Sequence, residues 1–339
     1  MKAEPPHFWW TAPQWRSTAL LPAAWIYGAV AGARLRKVHI PVATLPVLCV
    51  GNYTVGGSGK TPLAIALAAT AKTLGHKPGF LTRGHGGTLN APRLVDPLAD
   101  TAAMVGDEAM LLARHGPVAA GVDRHAASGL LAEAGCTIAI MDDGFQSRRT
   151  AIDYAVLAID ARRGIGNGRI VPAGPLRAPL AQQIGLTDML VVVGEGQGAD
   201  KVVRLAARAG KPVVPASLKA RKPKGLRNDA VLAFAGNWTD PAKFFDTLSA
   251  LGVNVKATRA FPDHHPFTDE EIGILLDDAG ALGANLITTE KDAVRLGGDS
   301  PVRLRLRDAL TVLPVKLTTP LDGVFERAIQ ETVRRFSLR

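Results

Sequence analysis

Residues 54–61 bring together the residue types that bind a chain of phosphates. Glycines at 56, 57 and 59 let successive backbone N–H groups converge on a phosphate, and the helix that follows adds the positive end of its dipole. Lys60 would neutralise the outer phosphates, and the hydroxyl of Thr61 would hold Mg²⁺. We therefore predict a nucleotide-binding loop whose members are Thr54, Val55, Gly56, Gly57, Ser58, Gly59, Lys60 and Thr61.

One position departs from the G-x-x-x-x-G-K-[ST] pattern, because Thr54 stands where the first glycine belongs. The alternative interpretation is a glycine-rich turn between a strand and a helix that contains a lysine by chance. The flanking sequence favours a nucleotide site, since the apolar residues 47–50 predict a buried strand and the segment after Lys60 predicts a helix.

Two acids end another apolar run. Residues 136–141 predict a buried strand, and Asp142 and Asp143 follow it directly. Phosphate-loop proteins hold magnesium with a carboxylate that emerges at the end of such a strand, so we predict a metal site formed with Thr61. The alternative is a pair of solvated turn carboxylates before Gly144.

Other charged residues allow two interpretations each. Asp107 opens a predicted helix, where capping is the ordinary explanation, but a carboxylate is also the base that kinases place near the terminal phosphate. Arg83, Arg124 and Lys291 lie near apparent strand ends, where they would hold phosphate or substrate, or would simply lie on the surface. His264, in a loop after a strand, is by itself typical of a solvated histidine.

The composition predicts a globular protein with an acidic partner. The chain has 339 residues, a net charge of +10 and 47% hydrophobic residues, enough for one large or two medium domains. Nucleotide phosphate, an anionic membrane and nucleic acid all fit the charge, but nucleic acid ranks last because no aromatic ladder alternates with the basic residues. Cys49 and Cys136 lie in apolar runs, so we expect buried, reduced thiols.

Predicted strands and helices alternate from residue 47 onward. This pattern is typical of an α/β fold in which helices cover both faces of a parallel sheet, as in P-loop NTPases. Residues 162–187, rich in glycine, proline and arginine, form either a shaped loop over the site or a plain surface excursion. A basic stretch at 219–224 predicts a domain boundary, with a core at 38–225 and a second, smaller α/β domain at 226–339. We assign a strand at 310–315 and a helix at 324–336 to the smaller domain.

The first 37 residues predict a membrane-associating helix. Residues 17–33 carry no charge, but as a helix they reach only about 25 Å. The hydrocarbon core is roughly 30 Å thick, so spanning is not expected. The tryptophans and the basic cluster that ends at Lys37 favour a helix lying in the surface of an anionic membrane. The alternative is an ordinary buried first helix.

With these pieces together, the sequence resembles the tetraacyldisaccharide 4'-kinase family over essentially its whole length. The resemblance is carried by GNYTVGGSGKTP (51–62), TRGHGG (82–87), GDE (106–108), DDGFQ (142–146), PAGPLR (172–177), DHH (263–265) and TTEKDA (288–293). The family also carries threonine or serine at the position of Thr54. The chain departs from the family pattern at His85, Ala109, Ser147, Ala178 and Asn237-Trp238.

The resemblance implies a lipid A pathway kinase at the cytoplasmic face of a Gram-negative inner membrane. Such an enzyme uses ATP and Mg²⁺ to phosphorylate the 4'-hydroxyl of a tetraacylated glucosamine disaccharide 1-phosphate. The resemblance further implies that Asp107 is the base and that His264 of the second domain is its partner. The other implied roles are metal binding by Thr61, Glu108, Asp142 and Asp143, and substrate binding by Arg83, Arg124 and Gln146.

Two other functions stay open at this point. A membrane-associated P-loop ATPase or GTPase switch would need a water-positioning residue and mobile loops instead of a base that faces a hydroxyl. A basic membrane adaptor with a vestigial loop would bind nucleotide without turning it over.

Overall fold

The computed structural model describes residues 5–37, 39–223, 229–236, 241–262 and 265–339. The helices are α1 (Trp15–Ala19), α2 (Leu21–Leu35), α3 (Lys60–Thr73), α4 (Ala102–Val105), α5 (Asp107–Ala113), α6 (Arg124–Glu133), α7 (Leu180–Gly185), α8 (Asp200–Arg208), α9 (Pro241–Ala250), α10 (Asp269–Ala281), α11 (Glu290–Ala293), α12 (Pro301–Ala309) and α13 (Val324–Ser337). The strands are β1 (Val47–Asn52), β2 (Pro78–Thr82), β3 (Arg93–Leu94), β4 (Val118–Ala120), β5 (Ile138–Asp142), β6 (Tyr154–Asp160), β7 (Met189–Val193), β8 (Val213–Ala220), β9 (Ala230–Ala235), β10 (Asn254–Ala260), β11 (Asn285–Thr289), β12 (Leu310–Leu313) and β13 (Val315–Thr318).

Within the described residues, nine strands form a large sheet in the order β13-β8-β7-β6-β1-β5-β2-β4-β3. β1 lies in the middle and pairs in parallel with β5 and β6. Its residues are buried on both faces, because alternate side chains enter two different cores: Leu48 and Val50 pack under α3, α5 and α13, while Val47 and Cys49 pack under α6 and α8. The predicted parallel sheet with helices on both faces is confirmed. We call this sheet and its helices the large unit.

A second sheet of four parallel strands has the order β10-β9-β11-β12. Its core contains Leu232 and Phe234, and Phe234 meets the ring of Phe267 edge to face. The helix α10 starts with a capping box between Thr268 and Glu271, which fixes its first turn. We call this sheet, with its helices α9 to α12, the small unit.

The end of the chain returns to the large unit, which corrects the assignment of the helix at 324–336, and of the last residue of the strand at 310–315, to the smaller domain. The predicted strand at 310–315 is divided at Pro314, since proline has no N–H to donate to a ladder. β12 stays in the small sheet, while β13 pairs antiparallel with β8. α13 buries Phe325 and Ile329 in the core under α3, so its apolar face needs the large sheet. The domain bounds themselves stay a prediction.

The N-terminal segment forms α1 and α2, and none of the described helices is long and apolar enough to cross a membrane. α2 rests on the large unit through small residues. A Cβ added at Gly28 would lie 2.9 Å from Cδ1 of Ile170, so the helix backbone approaches segment 162–187 closely at this point. Four large apolar side chains of α2 are exposed, namely those of Trp25, Ile26, Tyr27 and Val30.

Candidate active site

The loop between β1 and α3 has the backbone that a phosphate site requires. Gly56 and Gly59 have φ values of 110° and 82°, in the region that favours glycine, and Gly59 caps the start of α3. Thr54 has no positive φ and forms a β-bridge with Leu176, so a glycine is not needed there. Among the described residues, the buried hydroxyl of Ser58 has no hydrogen-bond partner, which leaves it available to a ligand.

Segment 162–187 braces this loop from outside. The N–H of Val55 donates to the carbonyl of Pro175 at 2.8 Å, and Nε of Arg177 donates to the carbonyl of Thr54 at 3.0 Å. From within the loop, Nδ2 of Asn52 donates to the carbonyl of Gly56 at 3.2 Å. The structure therefore favours the shaped loop beside the site over a plain surface excursion.

Lys60 and Thr61, at the start of α3, face the two acids Asp142 and Asp143 at the end of β5. Register pairs Val50 of β1 with Asp142, so the strand ends lie side by side. The hydroxyl of Thr61 donates to Oδ2 of Asp142 at 3.1 Å, and Nζ of Lys60 lies 3.8 Å from Oδ2 of Asp143. The four residues predicted to bind phosphate and metal thus meet at one edge of the large sheet.

The two acids differ in their electrostatic surroundings. Burial raises the pKa of Asp142 to about 7, with a further contribution from the charge of Glu108 and partial compensation by Lys60. Burial also acts to raise the pKa of Asp143, but the charges of Lys60 and Arg177 outweigh it and hold that pKa below its usual value. Arg177 forms a bidentate pair with Asp143, at 3.0 and 3.2 Å. The carboxylate of Asp143 is therefore occupied by Lys60 and Arg177, and that of Asp142 is the one available to a metal.

These residues fit a magnesium ion that also binds phosphate. No cluster of three or more His, Cys, Asp or Glu side chains placed to hold a metal occurs in the part of the chain that the structure describes. Mg²⁺ bound with nucleotides takes one or two carboxylates and completes its shell with phosphate oxygens and water. Oδ1 of buried Asp142 has no hydrogen-bond partner among the described residues, and Thr61 and Glu108 lie near it. This donor set suits Mg²⁺ once phosphates are present.

Asp107 lies at the start of α5, where it contacts the small unit. The predicted capping position is wrong by one residue: Gly106, with φ of 91°, is the N-cap, and Asp107 is the first residue of the helix. Nε of Arg295 donates to Oδ2 of Asp107 at 2.8 Å. His264, the predicted partner of Asp107, lies outside the described residues, as do Asn237 and Trp238.

Comparisons with known proteins identify the family to which the chain belongs. The model of the family described as tetraacyldisaccharide-1-P 4'-kinase (LpxK) matches residues 16–334. The chain belongs to this kinase family. Tetraacyldisaccharide 4'-kinases from Brucella anthropi and Brucella suis are each 48% identical over 339 residues, covering 100% of this chain and 99% of the relative. The "apo" form of LpxK from Aquifex aeolicus, solved in complex with ATP, has a TM-score of 0.73 and 28% identity, and the match covers 94% of this chain and 99% of that one.

These matches confirm the predicted family, the α/β fold and the 4'-kinase activity. The role of each site residue stays a prediction.

The groups predicted to bind the family's substrate lie at different depths. Arg124 is the first residue of α6 and is 3% exposed, with Nη1 donating to the carbonyl of Gly121 at 2.5 Å. Burial lowers the pKa of Arg124 to about 10. Arg83 is exposed just after β2, within electrostatic reach of Arg124. Nε2 of Gln146 donates to the carbonyl of Asn52 at 2.7 Å, which supports the start of the loop between β1 and α3.

Two arginines of the site were missed from the sequence. Arg177 ends the PAGPLR motif, and its place in a motif was the available signal. Arg295 follows the TTEKDA motif by two residues and reaches Asp107, which is 188 residues away in the sequence. Neither contact has a local spacing that would have revealed it. Lys291, the third basic residue considered from the sequence, lies in α11 of the small unit.

Proposed function

We propose that the γ-phosphoryl group of ATP is transferred at this site to the 4'-hydroxyl of a tetraacylated glucosamine disaccharide 1-phosphate. The observation that carries the proposal is the meeting of Lys60, Thr61, Asp142 and Asp143 beside a glycine-lined helix start. Family membership supports the acceptor, since the relatives are named for the acylated disaccharide that they phosphorylate.

Each residue has a separate task in this proposal. The N–H groups of residues 56–61 and Nζ of Lys60 bind the β- and γ-phosphates. Thr61, Asp142 and Glu108 would hold Mg²⁺, which when bound neutralises charge on those phosphates. Asp143 keeps Lys60 and Arg177 oriented toward the loop.

The proposed base is Asp107. A bond forms between the 4'-oxygen and the γ-phosphorus while the bond from that phosphorus to the β-phosphate oxygen breaks. ADP then leaves with the electron pair of that bond. The 4'-hydroxyl proton passes to the carboxylate of Asp107, with His264 as the predicted partner of that acid. Closure of the two units would keep water from accepting the phosphoryl group instead.

We also propose that the chain works at the cytoplasmic face of the inner membrane, with α2 in the lipid surface. The side chains that support this are Trp15, Trp25 and Ile26, which are 75%, 81% and 71% exposed. Patches of exposed large apolar side chains on soluble proteins usually mark an interaction surface, and tryptophan prefers the headgroup level. Gly28 of the same helix lies against Ile170, in the segment that braces the phosphate loop. A lipid seated at α2 is thereby brought near the nucleotide.

The proposal is tested with purified chain, ATP, Mg²⁺ and the acylated disaccharide 1-phosphate in mixed micelles. We expect one ADP per phosphorylated lipid and little ADP without the lipid. ADP release of equal rate with and without lipid would favour the NTPase switch, and nucleotide binding without any turnover would favour the adaptor.

A further inference from the structure

Helix α5, which begins with Asp107, is contacted by the small unit at both ends. It packs against α11 and against the 3-10 turn Val294–Leu296. At its first residue, Arg295 of that turn donates to Asp107. At its other end, Arg114 lies within electrostatic reach of Glu290, the first residue of α11. The two contacts differ because only the first involves a residue of the proposed reaction.

The guanidinium of Arg295 is fixed between two carboxylates. Nε donates to Oδ2 of Asp107 at 2.8 Å, and Nη1 donates to Oδ1 of Asp292 at 3.1 Å. The Arg295 side chain is 5% exposed, and that of Asp292 is fully buried. Asp292 is itself anchored, since the hydroxyl of Thr289 donates to its Oδ2 at 2.7 Å and accepts from its N–H at 3.1 Å. The small unit thus presents Arg295 in one orientation.

Such a pair restricts where the Asp107 carboxylate lies. Hydrogen bonds between ionised groups are short and strong, and they are strongest where water is excluded. A guanidinium has N–H donors and no acceptor atom, so Arg295 can orient the carboxylate but cannot accept the hydroxyl proton. A displacement of about 1 Å at a reacting group can cost roughly 100-fold in rate, so orientation alone gives this contact kinetic importance.

We propose that Arg295 is a positioning residue for phosphoryl transfer, which holds the carboxylate of Asp107 in place while Asp292 holds Arg295. The inference rests on the proposed role of Asp107 as the base. It makes turnover depend on the small unit, because the residue that orients the base of the large unit lies in a 3-10 turn of the small unit.

The test compares Arg295→Gln, Arg295→Lys, Asp107→Asn and the double variant Asp107→Asn/Arg295→Gln in the lipid kinase assay. We expect Arg295→Gln to lower kcat about 10- to 100-fold with an unchanged KM for ATP. Arg295→Lys should recover part of that loss, since lysine keeps the positive charge but lacks the planar guanidinium that donates to two carboxylates at once. The double variant should be no slower than Asp107→Asn, because the two residues act as one unit. Multiplying effects would overturn the proposal.

Arg114→Gln is the matched control, since it removes a charge contact between the same two units without touching Asp107. Its kcat should stay near that of the unchanged protein; an equal loss in this variant would show a general interface effect and overturn the proposal. Asp292→Asn keeps Arg295 but weakens its anchor, so it should also lower kcat, and it decides the question if Arg295→Gln does not fold. If Asp107→Asn has a normal kcat, Asp107 is not the base. If Asp107→Asn has a low kcat while Arg295→Gln has a normal one, Asp107 remains the base and only the positioning role of Arg295 is overturned.

Discussion

The hydroxyl of Thr61 donates a hydrogen bond of 3.1 Å to Asp142, which joins the first turn of α3 to the end of β5. The other oxygen of that buried carboxylate has no partner among the described residues. The helix start that we propose to bind phosphate and the acid that we propose to bind metal are therefore linked directly by a hydrogen bond within the protein.

Magnesium binding should depend on pH through Asp142. Burial raises the pKa of this acid to about 7, so below that pH the neutral form predominates and a proton competes with the metal. We expect the apparent Mg²⁺ affinity, measured by Mg²⁺-dependent binding of a non-hydrolysable ATP analogue, to be about tenfold weaker at pH 6 than at pH 8. Asp142→Asn should bind Mg²⁺ weakly at both values. An equal pH response in Asp142→Asn would assign the titration to another group.

Lys60→Ala should abolish most phosphoryl transfer, because charge that develops on the outer phosphates is left uncompensated. We expect a loss of about 100-fold or more in kcat. Lys72→Ala is the control, since Lys72 lies on the same helix but is exposed and donates to the carbonyl of His115. Retained activity in Lys60→Ala would argue against the phosphate loop.

Asp107→Asn should lower kcat by about 10²- to 10⁴-fold while ATP affinity stays nearly constant, as expected for the loss of a general base. Asp269→Asn is closely matched, because Asp269 also begins a helix and accepts from Nε of an arginine, Arg303, at 2.7 Å. It should leave kcat unchanged. If Asp107→Asn lost ATP binding instead, the residue would be a ligand of nucleotide and not the base.

Gly59→Ala should destabilise the protein even without nucleotide. The φ of Gly59 is 82°, and a Cβ there would lie 3.2 Å from Cγ1 of Val193. We expect a loss of about 1–2 kcal/mol in the free energy of unfolding, measured by urea denaturation. Gly57→Ala provides the comparison, because its Cβ would meet nothing within 4 Å and its φ is not positive. Equal stabilities of the two variants would contradict the backbone strain assigned to Gly59.

Trp25→Ser should weaken binding to vesicles that contain anionic lipid by about tenfold or more, since burial of an aromatic side chain in lipid is lost. Its thermal unfolding should not change, because Trp25 is exposed. Leu98→Ser removes a side chain that is 98% exposed in a different part of the surface, so it should bind vesicles normally. Sedimentation with the vesicles measures both, and equal retention of all three proteins would leave α2 without a role at the membrane.

What the sequence predicts well here is local. Residues 54–61 and the acids at 142 and 143 can be predicted because the strand, the loop and the helix start follow one another in the chain. The parallel sheet follows from the same alternation. The contacts of Arg177 and Arg295 were not predicted, since each arginine reaches an acid that is distant in sequence. The pairing of β8 with β13 was also not predicted, because the sequence of neither strand indicates which strand it pairs with.

The chain enters and leaves the small unit through neighbouring strands. β8 precedes the unit and β13 follows it, and the two are hydrogen-bonded side by side, with Leu218 opposite Leu317. The small unit is therefore an insertion in the chain between two paired strands of the large sheet. A rotation of the small unit about this strand pair would change the distance between Arg295 and Asp107, the contact that the Arg295 variants test.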